Sequence, residues 1–492
     1  MKRNKILLIS LMLLGSVAAV QSCSDEFIDV KPSESMTIDD LEKFNNNDGA
    51  TYFVNSIYAK FLDWNMSTFA WIGVTSIISD DADKGSTAGD NGSDKNLLDA
   101  LDITATTPSF KELFASNYQG INRCNQALKY IPQLDKADSD LRKRLTGEAK
   151  FLRAFMYFTL VRSFGGVPLV DHVPSLDNAE DKKMQLTRVS KEEIYAFIEK
   201  DLKDAIESLP NKSVYTGNNV GRASVGAAHA LLAKVYLYQK KWQLAAEQCD
   251  LVTGYSLTPS FIEIYKVSGE NNAESIFEIQ GSGADAGKAI QQYSVVQGVR
   301  GSGGWGWGFA TPTQGLYDAY TAEGDTERRD ATIIHRDMTL YDGRYIPNTV
   351  ENKFYNYKAY SSAFYDKDAT DTNIRYLRYA EVLLIKAEAL NELGQTSVAI
   401  PLLNQVRERA KIAPTTAVSQ ADVRTAIWKE RRLELAFEHD RWFDLVRTGQ
   451  AQAAMAADGG KKFIVGKHEL FPLPFEFIME AGGLSQQNPG YN

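Results

Sequence analysis

The amino-acid sequence predicts a mainly α fold, a scaffold of helix hairpins carrying long irregular loop insertions and a few short strands. Two observations predict the scaffold. Apolar residues recur at spacings of three and four in paired segments at 147–209, 222–253 and 375–411, the period of a buried helix face. Small residues line the expected crossings, and aromatics or Gly mark the turns, as closely packed hairpins need. A third observation predicts the insertions. Residues 80–110 are rich in Asp, Gly, Ser, Thr and Asn, and residues 254–372 mix Gly-rich turns, many Tyr and short β-like runs such as 275–280. Stretches this long without a helical period tend to carry function.

Taken in order, the chain begins with Lys2, Arg3 and Lys5, an apolar run from Ile6 to Val20, and then Val20-Gln21-Ser22-Cys23. A basic start, a short apolar run and a small residue before the cut read as a secretory signal, since a membrane span needs about 20 apolar residues. With Cys23 first after the cut, residues 1–22 resemble a bacterial lipoprotein signal peptide, and Cys23 is the expected lipidation site. Ser24-Asp25-Glu26 resembles the acidic surface-display signal of Bacteroidota lipoproteins. Residues 23–40 are expected to form an acylated tether and residues 41–492 one domain, with its two parts meeting near residue 250.

Within that domain, Phe151, Phe155 and Phe158 share a helix face over 147–164; Gly165-Gly166 stops the helix and Pro168 bars its return. Ser190 and Glu193 are spaced as a capping box that opens a helix over 191–209. A helix over 222–239 turns at Trp242 into one carrying Ala245, Ala246 and Cys249. Residues 375–393 and 397–410 repeat that plan around Gly394. The hairpins resemble tetratricopeptide (TPR) repeats, which use about 34 residues each. A final helix is predicted over 419–446, with a break near His439. Cys124 and Cys249 sit on helical patterns and read as core thiols.

Five segments, in order, resemble the SusD/RagB family of outer-membrane nutrient-binding lipoproteins. They are the CSDEFIDVKP start at Cys23, residues 147–170 (GEAKFLRAFMYFTLVRSFGGVPLV), residues 375–410, residues 427–449 (IWKERRLELAFEHDRWFDLVRTG) and residues 470–492 (LFPLPFEFIMEAGGLSQQNPGYN). The likeness spans essentially the whole chain after the signal. It departs at Val20-Gln21, a loose lipobox, and at His439, where the family often has Gly. The resemblance implies a lipid-anchored protein of the outer membrane, facing the cell exterior, that captures nutrient oligomers, usually glycans, and does no chemistry. It implies three partners: an oligosaccharide, a SusC-like TonB-dependent transporter that the protein caps as a lid, and outer-membrane lipid through acylated Cys23. It implies no cofactor.

Charge and motifs point the same way. The formal net charge of -9 argues against nucleic acid, which needs a basic stripe. The five His, at 172, 229, 335, 439 and 468, form no ligand pair at helical spacing, so no metal site is predicted. Asp80-Asp81-Ala82-Asp83 looks like the start of a Ca²⁺ loop, but Gly92 stands where the loop counted from Asp81 wants its bidentate Glu; a Ca²⁺ site of another kind is left open. Gly301-Ser302-Gly303-Gly304-Trp305-Gly306 matches GxGxxG but is followed by Trp and Pro312 rather than a helix. The charged clusters at 430–434 and 438–442 read as ion pairs that tie helices together, with Arg441 and Arg447 among them.

A glycan offers C–H faces and hydroxyl edges, so its site needs flat aromatic rings flanked by polar side chains. Trp305 and Trp307 lead the candidates, because the glycines around them leave little local cover. Trp71, shortly before the first irregular stretch, and Asp81, Lys84 and Asn91 on it are candidates, and Tyr341 and Tyr345 flank a predicted hairpin turn at Asp342-Gly343. Three other readings compete: the same architecture binding oligopeptides, a surface glycoside hydrolase with paired acids, and a purely structural TPR lipoprotein.

Overall fold

Asp138 opens the longest helix by accepting a hydrogen bond from the backbone N–H of Leu141, and Gly165, at φ 74°, closes it. The computed structural model describes residues 38–175, 177–285, 287–366 and 369–491. The expected signal peptide, Cys23 and nearly all of the tether lie outside the described residues. A short helix, Ile38–Lys43, already begins within the stretch read as tether.

The scaffold is a chain of antiparallel helices. Its main members are α1 (Asn47–Lys60), α2 (Pro108–Tyr130), α3 (Ser139–Phe164), α4 (Lys191–Ile206), α5 (Val225–Tyr238), α6 (Trp242–Asp250), α7 (Tyr379–Glu392), α8 (Thr396–Arg409), α9 (Gln420–Leu435) and α10 (Arg441–Thr448). Each of α2 to α8 packs on the next, so α6 and α7 are neighbours although some 130 residues part them. The predicted capping box is present: Glu193 N–H donates to Ser190 Oγ, and Glu193 Oε2 accepts from Ser190 N–H at 2.9 Å. The predicted break near His439 is also present, because Phe437 and His439 both take positive φ between α9 and α10. Cys124 and Cys249 are buried free thiols.

The expected helix over 375–393 needs correction. Ile374–Arg378 is a fully buried strand paired antiparallel with Ser275–Ile279, and α7 starts only at Tyr379. Its Arg, Tyr and Leu suit a helix as well as a strand, so only the distant partner decides the outcome. The insertion also holds three short helices that its composition hid, Tyr293–Gln297, Gln314–Ala322 and Thr326–Thr332.

Ala82–Gly85 pairs with Phe309–Pro312 and ties the insertion to the first irregular stretch, while Ile333–His335 pairs with Phe354–Asn356 inside the insertion. A buried ion network locks it to the scaffold. Arg378 meets Glu438 at 2.6 Å, Glu434 at 3.0 Å and also Glu274; Arg409 meets Glu274 at 2.9 Å; Arg328 meets Glu430 at 2.7 Å and Glu434 at 3.0 Å. The charged clusters near 430 and 440 are thus structural, and Arg441 and Arg447 tie helix ends to Asp80 and Glu388.

Candidate functional site

The chain leaves α1 through Phe61 and Leu62 into a wide π-helical turn at Trp64–Thr68. Such turns widen the helix and re-aim a side chain. Here Trp64 is half-buried, and its ring and that of Trp307 meet edge to face; the centroids lie 6.0 Å apart and the planes are inclined by 61°. Phe69 supports Trp64 from behind at 5.1 Å. Gln291 joins the two segments: its Oε1 accepts from Trp64 N–H at 2.8 Å, its carbonyl from Thr68 Oγ1 at 2.7 Å, and its N–H donates to Leu62 O at 3.0 Å.

Trp307 reaches this place because the glycine loop folds flat over the preceding helix. Trp307 N–H donates to Val295 O at 2.8 Å, and Gly306 N–H to Val299 O at 2.8 Å. A Cβ on Gly306 would stand 2.4 Å from Gly298 Cα, so no larger residue fits without moving backbone. The GxGxxG match is therefore a packing device. It has a helix before it and a strand after it, the reverse of a dinucleotide loop.

Trp64 and Trp307 border an open groove of about 890 Å³, with Asp63, Arg123, Gln291 and Gln292 in its wall. Asp63, Trp64 and Gln291 continue into a second hollow of about 580 Å³ that reaches Lys111, Glu112 and Gln119. Ala59 and Leu62 continue into a third of about 320 Å³, edged by Asn55, Asn218, Arg222 and Gln280. The three share walls and form one elongated trough. Its charges are largely tied down: Lys60 Nζ donates to Asp63 at 2.6 Å and Gln119 at 2.7 Å, and Arg222 bonds to Glu148, Asn55 and Asn219. Burial raises the Glu112 carboxyl above its ordinary range, with Lys95 opposing and Asp94 adding to the shift. The trough thus offers two indole faces among neutral and internally paired hydrogen-bonding groups.

The other sequence candidates fall in different places. Trp305 points away from Trp307 into a separate aromatic cluster, 4.9 Å from Tyr360 and beneath the Arg344 guanidinium. Tyr341 joins that cluster, stacked 5.7 Å from Tyr357. Tyr345 is exposed, its hydroxyl donating to Asp337 at 2.7 Å, and the predicted turn is present, with Gly343 at φ 89° and Thr339 bridged to Tyr345.

Three candidates are corrected by burial. Trp71 is 3% exposed, packed against His439 and Tyr376. Asp81 is buried and holds Arg432 at 2.7 Å. Lys84 is buried and donates to the carbonyls of Thr87 and Ala88. Asp81 and Lys84 build the loop that they were expected to display, and Trp71 belongs to the short helix Phe69–Ile72 before it. Asn91 is exposed but takes φ 48° in a turn and lies outside the trough. The sequence reading missed Trp64, although Asp63-Trp64-Asn65 just after a helix is the same aromatic-among-polar pattern. Among the described residues no group of His, Cys, Asp or Glu is placed to hold a metal ion.

Residues 338–491 match a family described as the SusD family, and residues 26–237 match one described as starch-binding associating with outer membrane. SusD-like protein P2 of Formosa agariphila is 28% identical, over 76% of this chain and 79% of its own. SusD-like protein P38 of the same organism is 27% identical, over 99% of this chain and 100% of its own. A solved structure of a laminarin binding SusD-like protein is 30% identical with a TM-score of 0.76, covering 91% of this chain and 100% of that one.

Proposed function

From the premise that this chain belongs to the SusD family, we propose that it is a non-catalytic glycan-binding lipoprotein of the outer membrane. It is anchored through acylated Cys23, faces the cell exterior and passes an oligosaccharide to a SusC-like TonB-dependent transporter. One observation carries the glycan reading: Trp64 and Trp307 stand at the border of a trough whose polar groups are mostly neutral or paired. Two rings supply apolar area for sugar faces, and Asp63, Arg123 and the glutamines suit hydroxyl edges. An elongated trough suits an oligomer rather than a single sugar. The laminarin binding relative makes a β-glucan the first ligand to try. Affinity in the micromolar to millimolar range is expected, about -8 to -4 kcal/mol.

The test is affinity gel electrophoresis of the chain from Ser24 onward against a polysaccharide panel that includes laminarin, beside Trp64→Ala/Trp307→Ala. Retardation by one glycan class, weakened at least about tenfold in the folded variant, is the expected outcome. Retardation that survives both substitutions removes the trough from the account.

One observation favours a second reading, a glycoside hydrolase: Glu112, with its raised carboxyl, shares a wall with Asp63. Sugar release from the bound polysaccharide, abolished by Glu112→Gln, would replace the binding reading with this one.

A further inference from the structure

A fourth hollow lies on the helical scaffold and shares no residue with the trough. It holds about 320 Å³ between the turn that joins α5 to α6 and the helices α7, α9 and α10. α5 separates the two: the trough ends at Arg222 just before its start, and the hollow lies at Tyr238, its last residue, and Lys240 beyond it. Fourteen helical residues put about 20 Å between them.

Two indoles line this hollow, Trp242 and Trp428. Trp242 leans on the core, but Trp428 stands apart from the hydrophobic clusters formed by the described residues. It is half-buried, and its N–H donates to Glu388 Oε1 at 3.2 Å. The polar walls are braced: Arg447 grips Glu388 through two hydrogen bonds of 2.6 and 2.9 Å, and Arg424 grips Glu392 through two of 2.5 and 2.7 Å. Forked pairs of this kind are rigid, and they cancel each other's charge. An ionic ligand finds no unmatched buried charge, and a greasy one finds a rim of carboxylate and guanidinium edges. Flat rings beside paired donors and acceptors suit a ligand with apolar faces and hydroxyl edges, and the volume is at the small end for ligand sites.

From this geometry we infer that the hollow between Trp242 and Trp428 is a second saccharide site, sized for one or two neutral sugar rings and independent of the trough. A longer glycan held at both places would lie along the scaffold, with α5 between its contacts.

The test uses the chain from Ser24 labelled with 5-fluorotryptophan, whose seven Trp give ¹⁹F signals assigned by single Trp→Phe variants. Neutral disaccharides (laminaribiose, cellobiose, maltose and mannobiose) are titrated into wild type and into Trp64→Ala/Trp307→Ala, the variant that disables the trough. The expected result is saturable shifts of the Trp242 and Trp428 signals with at least one disaccharide in both proteins. Arg424→Gln, which unbraces one wall while leaving both rings, then weakens that response about tenfold. If the two signals stay still with every disaccharide, or move only while the trough is intact, the inference is overturned. It is overturned equally if they respond to free indole or an apolar peptide but to no sugar. A failure of the trough alone leaves the Trp242 and Trp428 response in place, so the two failures are distinguishable.

Discussion

At the residue scale, the Lys461 ammonium fills the place that the Asp-rich loop offers a cation. Its ammonium donates to the carbonyls of Ile77 at 2.6 Å, Ser79 at 2.5 Å and Ala82 at 2.7 Å, and meets Asp99 at 3.1 Å. Lys461→Met leaves those buried acceptors unpaired and is expected to cost about 2–4 kcal/mol in urea unfolding. Added Ca²⁺ should leave the wild-type Tm where it is; a Ca²⁺-dependent rise would point to a separate ion site. His439 supplies a pH prediction. It is 3% exposed, with Thr75 Oγ1 at 3.0 Å from Nδ1 and Tyr293 OH at 3.0 Å from Nε2. Burial lowers its pKa from 6.5 to about 4, against the opposing charges of Asp440 and Glu438. Between those values the unfolded chain takes up a proton that the folded chain refuses. Stability therefore falls as pH drops from about 6.5 to about 4, by up to about 3 kcal/mol, and this contribution is flat on either side. His468 is lowered in the same direction, so the difference between wild type and His439→Gln isolates His439. An equally steep pH dependence in the variant would exclude it as the source.

At the element scale, the glycine loop sets the position of Trp307. Gly306→Ala puts a methyl 2.4 Å from Gly298 Cα and must lift the loop off Val295–Val299. Ligand affinity in the trough is expected to fall about tenfold while Tm moves by a few degrees, since the strain is local; calorimetric titration with the bound glycan and thermal unfolding check both. Tyr345→Ala removes an exposed ring outside the trough and should leave affinity within about twofold. These elements also mark where sequence reading stops. Helix α4, its capping box and the break at His439 were legible because caps, periods and left-handed positions are local signals. The strand Ile374–Arg378 was not, because its partner Ser275–Ile279 lies about a hundred residues away and nothing local favours one state. Trp305 and Trp307 both read as leading candidates, yet the packing of the loop sends Trp307 to Trp64 and Trp305 to Tyr360.

At the scale of the whole molecule, the buried ions join the insertion to the scaffold. Arg378 lies on the strand, Glu274 on the chain before its partner strand, Glu434 in α9 and Glu438 in the break beyond it. Arg378→Met takes one cation from three buried carboxylates, leaving Glu274 and Glu434 to Arg409 and Glu438 to Lys358, and is expected to cost about 3–5 kcal/mol in urea unfolding. A loss under about 1 kcal/mol would mean that the network orders the interior without stabilising it. By itself the sequence determined the helical class, the hairpin pairing, the break at His439, the two irregular regions and the resemblance to the family. All of these rest on near-neighbour patterns or on ordered motifs. The tertiary structure alone decided which aromatics face a ligand. Trp64 and Trp307 meet because Gln291 and the ribbon between Ala82–Gly85 and Phe309–Pro312 draw together segments more than two hundred residues apart. Trp71 was lost to the interior against Tyr376 and His439, Asp81 to Arg432, and Lys84 on the ribbon itself. Exposure is a property of the packed whole, and a ring between polar residues reads alike in sequence whether the fold turns it inward or out.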